Sequence, residues 1–352
     1  MSDELSLAEV VRRQGRICAR LGSPMYGDLL GRIADDIDAG GLFADLLAGH
    51  EEDPMADATP LRLLGGLHRL VLTGAAPRLA AFYPSAGGAW EPAEAPAVWS
   101  EILTAARNNA DQLRATLDMP PQTNEVGRAA ALVGALLHLV DRFPFPVRLF
   151  EIGTSGGLNL RADHFRFRYD GDEWGPGWSP VVIENAWQGR RPPDAPLRIV
   201  ERHGFDITPV DPASADGELT LLSYVWPDMT ERLARLRAAI GVARQVPAGL
   251  DRMPAARAVA GLRLVRGTMT VLWHSITWQY LDDAERHGVA ARAAELAALA
   301  DEATPFVWLS LEPMRRGPDG RNEFVVRARC WPEGTDEILG VCSPHGPPVV
   351  WE

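Results

Sequence analysis

Along residues 5–142 apolar positions recur at helical spacing. Leu7, Val10, Val11, Ile17 and Leu21 share a face, with Ser6 before them and Glu9 three residues on, which predicts a capped helix stopped at Gly22. Leu29, Leu30, Ile33 and Ile37 predict a second helix, closed by Gly40-Gly41. Leu61–Leu72 and Trp99–Leu117 continue the pattern. Asn124–Val140 is the most apolar helix, and Pro144 and Pro146 end it. From Val147 the period changes. Val147–Ile152 alternates and is rich in strand formers, so it predicts a buried strand that carries Glu151 at its carboxyl end.

The strand turns into Gly153-Thr154-Ser155-Gly156-Gly157, a bend whose glycines permit positive φ and whose Ser155 is placed to cap a following helix. Residues 164–190 predict a hairpin insertion carrying Trp174, Trp178 and Trp187. Pro196–His203 then reads as a helix stopped by Gly204. Ile207–Val210 reads as the second parallel strand, ending on Asp211, with an Asp-Pro turn as the competing reading. Residues 219–228 fit a buried strand or a short helix, with Asp228 capping the helix Thr230–Ala243. A third strand, Gln245–Leu250, ends on Asp251, and a helix follows at Pro254–Gly261. Thr268–Trp273 is a central strand stopping at His274-Ser275. The helix Asp282–Ala300 leads to a fifth strand, Pro305–Leu311, with Glu312 at its end. Phe324–Cys330 and Ile338–Cys342 follow with no helix between them, as a closing antiparallel pair.

The predicted fold class is therefore α/β: a Rossmann-like, mostly parallel sheet with an antiparallel C-terminal hairpin, plus an N-terminal all-α domain. The boundary falls between a helical cap, residues 1–145, and a sheet domain, residues 146–352. In a parallel sheet the strand ends share one rim, so Glu151, Asp211, Asp251 and His274 are expected to converge on one crevice.

Composition removes several chemistries. The 352 residues carry a formal net charge of −12, which argues against non-specific nucleic-acid binding. All 35 basic residues are arginine. Without lysine there is no Schiff-base anchor and no P-loop or kinase lysine. The three cysteines, Cys18, Cys330 and Cys342, form neither a disulfide framework nor a metal-ligand spacing, and the eight histidines are scattered. No metal site, signal peptide or membrane span is expected, and a cytoplasmic setting is.

The acidic-apolar-Gly-x-Ser-Gly-Gly pattern at Glu151 to Gly157 resembles the first motif of Rossmann-type S-adenosylmethionine-dependent methyltransferases. It departs from the dinucleotide pattern, where the carboxylate follows the glycines. Relative to methyltransferases, Ser155 stands where glycine is common, and the insertion lengthens the spacing to Asp211. The resemblance implies S-adenosylmethionine as cofactor and methyl transfer to a small-molecule acceptor. Glu151, Gly153, Thr154, Ser155, Gly156 and Gly157 would hold the methionine part, Asp211 the ribose and Asp251 the adenine amino group. If the acceptor must lose a proton, His274 is the candidate base, against a purely structural role as a cap or core hydrogen-bonding group. Trp278 and Tyr280 would face the sulfonium or the acceptor, with core packing the expected role of at least one. Asn124, Glu125, Arg128 and Trp226 are the candidate acceptor contacts; the competing reading has Thr123 or Asn124 capping the helix and Glu125 facing its dipole. A ligand-binding protein without catalysis and a hydrolase using His274-Ser275 are the competing classes. Over most of its length the chain is also similar to a bacterial family catalogued as a domain of unknown function. The residues that carry this likeness are Glu151 to Leu160, Tyr224 to Asp228 and Trp273 to Leu281.

Overall fold

A computed structural model describes residues 5–53, 55–316 and 320–352. The chain forms two compact units: Met1–Thr123 with Glu218–Ala234, and Asn124–Gly217 with Arg235–Glu352.

The first unit is helical. Its opening helix, Leu7–Arg20, has the expected capping box: Glu9 N–H donates to Ser6 Oγ, and Ser6 N–H donates to the Glu9 carboxylate. Helices Pro24–Asp38 and Thr59–Leu72 follow as predicted. The predicted helix Trp99–Leu117 is two, Ala95–Asn108 and Ala110–Leu117, broken at Asn109. Residues 219–228 resolve as the end of a helix, Ala215–Ser223, and a turn. Asp228 does not cap the helix it precedes in sequence. Its carboxylate accepts from Ser23 Oγ at 2.6 Å and from Met25 N–H at 3.1 Å, tying down the start of Pro24–Asp38. Trp226 lies in this unit's core, 6.2 Å from Tyr26 by ring centroids.

The second unit is built on strands β1 (Val147–Ile152), β2 (Arg166–Tyr169), β3 (Asp172–Trp174), β4 (Val182–Ile183), β5 (Trp187–Gly189), β6 (Ile199–Asp206), β7 (Gly249–Arg252), β8 (Met269–Ser275), β9 (Phe306–Arg316), β10 (Arg321–Trp331), β11 (Thr335–Ser343) and β12 (Gly346–Trp351). Among the described residues these form a nine-stranded sheet, β5-β12-β11-β10-β9-β8-β1-β6-β7, and a small sheet, β3-β2-β4. Strands β7, β6, β1, β8 and β9 are parallel. The chain runs outward from β1 through β6 to β7, then returns to β8 and β9 on the other side of β1. The order therefore reverses between β1 and β8. The predicted closing pair is part of a longer antiparallel run, β9 to β12, whose outer edge is covered by β5 from the insertion.

Two expectations around the second strand are corrected. Residues 199–206 are strand β6, not a helix. Its polar side chains are held by partners distant in sequence: Glu201 by Arg148 at 2.6 Å, Arg202 by Asp163 at 2.7 and 3.1 Å, and His203 by Asp251 at 2.9 Å. The second strand therefore ends on Asp206. Asp211 lies in the loop beyond, where its carboxylate accepts from Ala213 N–H as a turn residue. The bend after β1 does not open an α-helix either. It leads into a kinked 3₁₀ segment, Leu158–His164.

Helix Ala129–Arg142, grouped by its pattern with the N-terminal helices, belongs to the sheet unit. Trp187 Nε1–H donates to Ala130 O at 2.8 Å, and the Trp351 ring fills the space beside Gly134. The opposite sheet face carries Phe150, Ile152, Phe205, Leu272 and Trp308 against helices Ala255–Ala260 and Asp283–Leu299. Of the insertion's tryptophans, Trp187 is buried and stacks on Phe167 at 5.3 Å, whereas Trp178 is exposed. Among the described residues no helix is long and apolar enough to cross a membrane.

Candidate functional site at the sheet's carboxyl rim

Where the strand order reverses, neighbouring strands send their following loops apart and leave a crevice. Here the loops after β1 and β8 flank that point, and both hold strained backbone. Gly153 and Gly157 have φ of 68° and 62°, values that glycine tolerates. Ser155 and Ile276 have φ of 51°, and for β-branched Ile276 this is a genuine outlier. Such strain persists only where the surroundings over-determine it, and it clusters at functional sites.

The surroundings of the bend are well defined. Gly153 and Thr154 N–H both donate to Phe205 O, Ser155 N–H to the Asp206 carboxylate at 2.8 Å, and Gly157 N–H to Thr154 O. Leu158 N–H donates to Asn124 Oδ1 at 2.9 Å, so Asn124, not Ser155, caps the segment that follows. Buried Arg161 donates to Gly157 O at 2.7 Å and to Val246 O at 3.0 Å, and burial lowers its pKa to about 10. Among the described residues, Gly156 alone in 153–158 has a backbone N–H with no protein acceptor. A phosphate cradle needs several free N–H groups. This bend offers one.

Glu151 is sealed beneath the bend, 2% exposed, where its carboxylate accepts from Thr154 Oγ1 at 2.7 Å. Burial pushes its pKa up to about 7, although the Thr154 hydrogen bond pulls the other way. Glu151 therefore shapes the loop from below. Its neighbour Gly204 is required for this arrangement, since a Cβ there would sit 2.5 Å from Thr154 Oγ1.

Asn124, Glu125 and Arg128 stand beside the bend. Glu125 accepts from Gly127 N–H at 2.9 Å, and its carbonyl accepts from Asn159 Nδ2 at 3.2 Å. Arg128 donates to Ser275 O at 3.2 Å and to Pro344 O at 3.1 Å, linking the end of β8 to the β11–β12 turn. At the end of β8 His274 is buried; Trp273 pairs with Glu151 in register, so His274 lies on the sheet face opposite Glu151 and does not converge with it. Trp308 Nε1–H donates to its Nε2 at 3.0 Å, so Nδ1 carries the proton and donates to Glu312 Oε1 at 2.7 Å. Glu312 Oε1 also accepts from the N–H groups of Thr277 and Trp278, at 2.9 and 3.1 Å. Trp278 stacks on His274 at 5.3 Å, while Tyr280 is exposed at the rim.

Folding thus brings together the glycine bend, Asn124, Glu125, Arg128 and the loop after β8. Asp211 lies close by in the same rim, since Val210 N–H donates to Ser155 O. Asp251 is aimed elsewhere: it pairs with Phe205 in register, on the face opposite Glu151, and binds His203. Trp226 belongs to the helical unit. Sequence reasoning missed Asp206 and the organising role of Glu312. The signal for Asp206 was an acidic residue directly after the apolar Gly204-Phe205 step.

The chain matches, over residues 8–351, the model of a family described as an uncharacterized protein conserved in bacteria, DUF2332. It belongs to that family. No curated protein and no solved structure matches it. The match to DUF2332 spans both compact units and carries no reaction with it.

Proposed function

We propose that this DUF2332 chain binds S-adenosylmethionine at the carboxyl rim and transfers its methyl group to a small-molecule acceptor. The observation that carries the reading is the pairing of two strained loops, at Ser155 and Ile276, on either side of the switch point between β1 and β8. The strand order β7-β6-β1-β8-β9 agrees with a Rossmann-like sheet.

The donor set suits a nucleoside with a zwitterionic tail better than a pyrophosphate. Gly156 offers one N–H. Asp206, at the end of β6, uses each carboxylate oxygen for one backbone N–H and keeps accepting capacity for ribose hydroxyls. Asp206 thus replaces Asp211 as the proposed ribose contact. When bound, the cofactor supplies a methyl group already activated on sulfonium. The chain's part is to position and to exclude water. Arg128 and Glu312 hold the loop after β8 in place. His274, with both ring nitrogens engaged, positions Glu312 and does not remove a proton. This engagement, with Glu151 sealed, favours one alternative: a ligand-binding protein without catalysis.

Calorimetric titration with S-adenosylhomocysteine tests the reading. We expect one site per chain, weakened at least about tenfold by Asp206→Ala, the loss of one charged hydrogen-bond acceptor. An absence of heat at millimolar ligand removes it. Binding without methyl transfer to any acceptor leaves the non-catalytic alternative.

A further inference from the structure

We propose a second small-molecule site, for an aromatic carboxylate, on the sheet face opposite Glu151. Strand β7 pairs with His203–Asp206, so among the described residues the earlier half of β6 has no strand neighbour on that side. A cavity of about 360 Å³ opens between this part of the sheet and helix Ala255–Ala260. It is lined by the Phe150 and Phe205 rings and by Leu262, with His203 stacked on Phe205 at 4.7 Å. Successive side chains of β1 point to opposite faces, so Phe150 and the cavity are separated by the sheet from Glu151.

The charge of the lining runs against that of the chain. Three guanidiniums, Arg148, Arg257 and Arg263, meet one carboxylate, Glu201, in a protein of formal net charge −12. Arg148 is pre-organised: its side chain is 13% exposed, Nε donates to Glu201 at 2.6 Å and Nη1 to Arg263 O at 2.6 Å. Among the described residues its Nη2 makes no hydrogen bond, and the guanidinium lies over the Phe150 ring, 5.1 Å from the centroid. Arg257 is exposed and has no side-chain partner among the described residues. Guanidinium donors with fixed geometry match a carboxylate, and aromatic walls match a planar ring.

The probe is benzoate, with neutral, isosteric benzamide as control, titrated calorimetrically into the full chain. Benzoate is expected to bind at least about tenfold more tightly than benzamide, consistent with a charge-assisted hydrogen bond. Arg148→Met and the surface variant Arg257→Ala should each weaken benzoate, and saturating S-adenosylhomocysteine should not displace it. Equal binding of the two probes, benzoate binding unchanged in both variants, or displacement by S-adenosylhomocysteine would each overturn the proposal. Because Arg257 is exposed, its variant keeps the test valid if Arg148→Met fails to fold. Failure of the rim to bind S-adenosylhomocysteine leaves this site's own readout intact.

Discussion

Thr277 occupies the space that a side chain on Gly153 would need: a Cβ there would lie 2.3 Å from Thr277 Oγ1 and 2.4 Å from its Cγ2. The loops after β1 and β8 are thereby locked together at the point where the strand order reverses. Gly153→Ala adds both this clash and a left-handed φ of 68°. It should destabilise the sheet unit by about 2–4 kcal/mol, combining overpacking and backbone strain. Chemical denaturation measures the loss. Thr277→Gly in the same chain should recover the part due to the clash, and no recovery would mean that the two loops are not in contact.

Glu151 makes stability depend on pH in a defined direction. Its folded pKa, about 7, lies above the usual 4.5, so the protonated form favours the folded state. The stabilisation is complete below pH 4.5 and is lost as pH rises through 7. Glu151→Gln, which keeps an acceptor for Thr154, removes this dependence. At pH 8 the variant should be more stable than wild type by up to about 3 kcal/mol, and below pH 4.5 the two should match. Thermal melts across this range decide it. A variant less stable at pH 8 than at pH 4.5, relative to wild type, would contradict the assignment.

In the helical unit, Asp228→Ala leaves Ser23 Oγ and Met25 N–H without their acceptor. A cost of about 1–3 kcal/mol is expected, the range for a lost cap plus an unsatisfied donor. A urea midpoint unchanged from wild type would show that the tie across 205 residues of sequence carries no energy.

Much of this fold is written locally, and what is not has a physical reason. Ser6 and Glu9 announce their helix because both halves of the capping box lie within one turn. Strand β8 reads clearly because burial on both faces demands a nearly continuous apolar run, whereas β1 reads from its strand formers Val147, Phe150 and Ile152 despite Arg148 and Glu151. Strand β6 reads as Glu201-Arg202-His203, three polar residues in a row, because their partners Arg148, Asp163 and Asp251 come from other segments. Misreading it displaced the second strand's end from Asp206 to Asp211. Asn124 looked like a cap for its own helix, yet its acceptor serves Leu158, 34 residues on. Trp226 and Asp228 sat beside predicted sheet elements in sequence but belong to the helical unit, which nothing in their local pattern records.

Glu312→Ala should show how far the loop after β8 depends on one carboxylate. It removes the acceptor for His274 Nδ1–H and for two backbone N–H groups. About 3 kcal/mol of stability should be lost, with the first effect on hydrogen exchange at residues 276–280. Unaltered exchange in that segment would exclude the role given to Glu312.

The most direct test of the rim as the cofactor site is hydrogen–deuterium exchange of the full chain with and without saturating S-adenosylhomocysteine. Ligand-dependent protection is expected, confined to the bend at 153–158, the 206–211 loop and the 275–280 loop. Protection absent from all three, or found only around the cavity at Arg148 and Arg257, would contradict it.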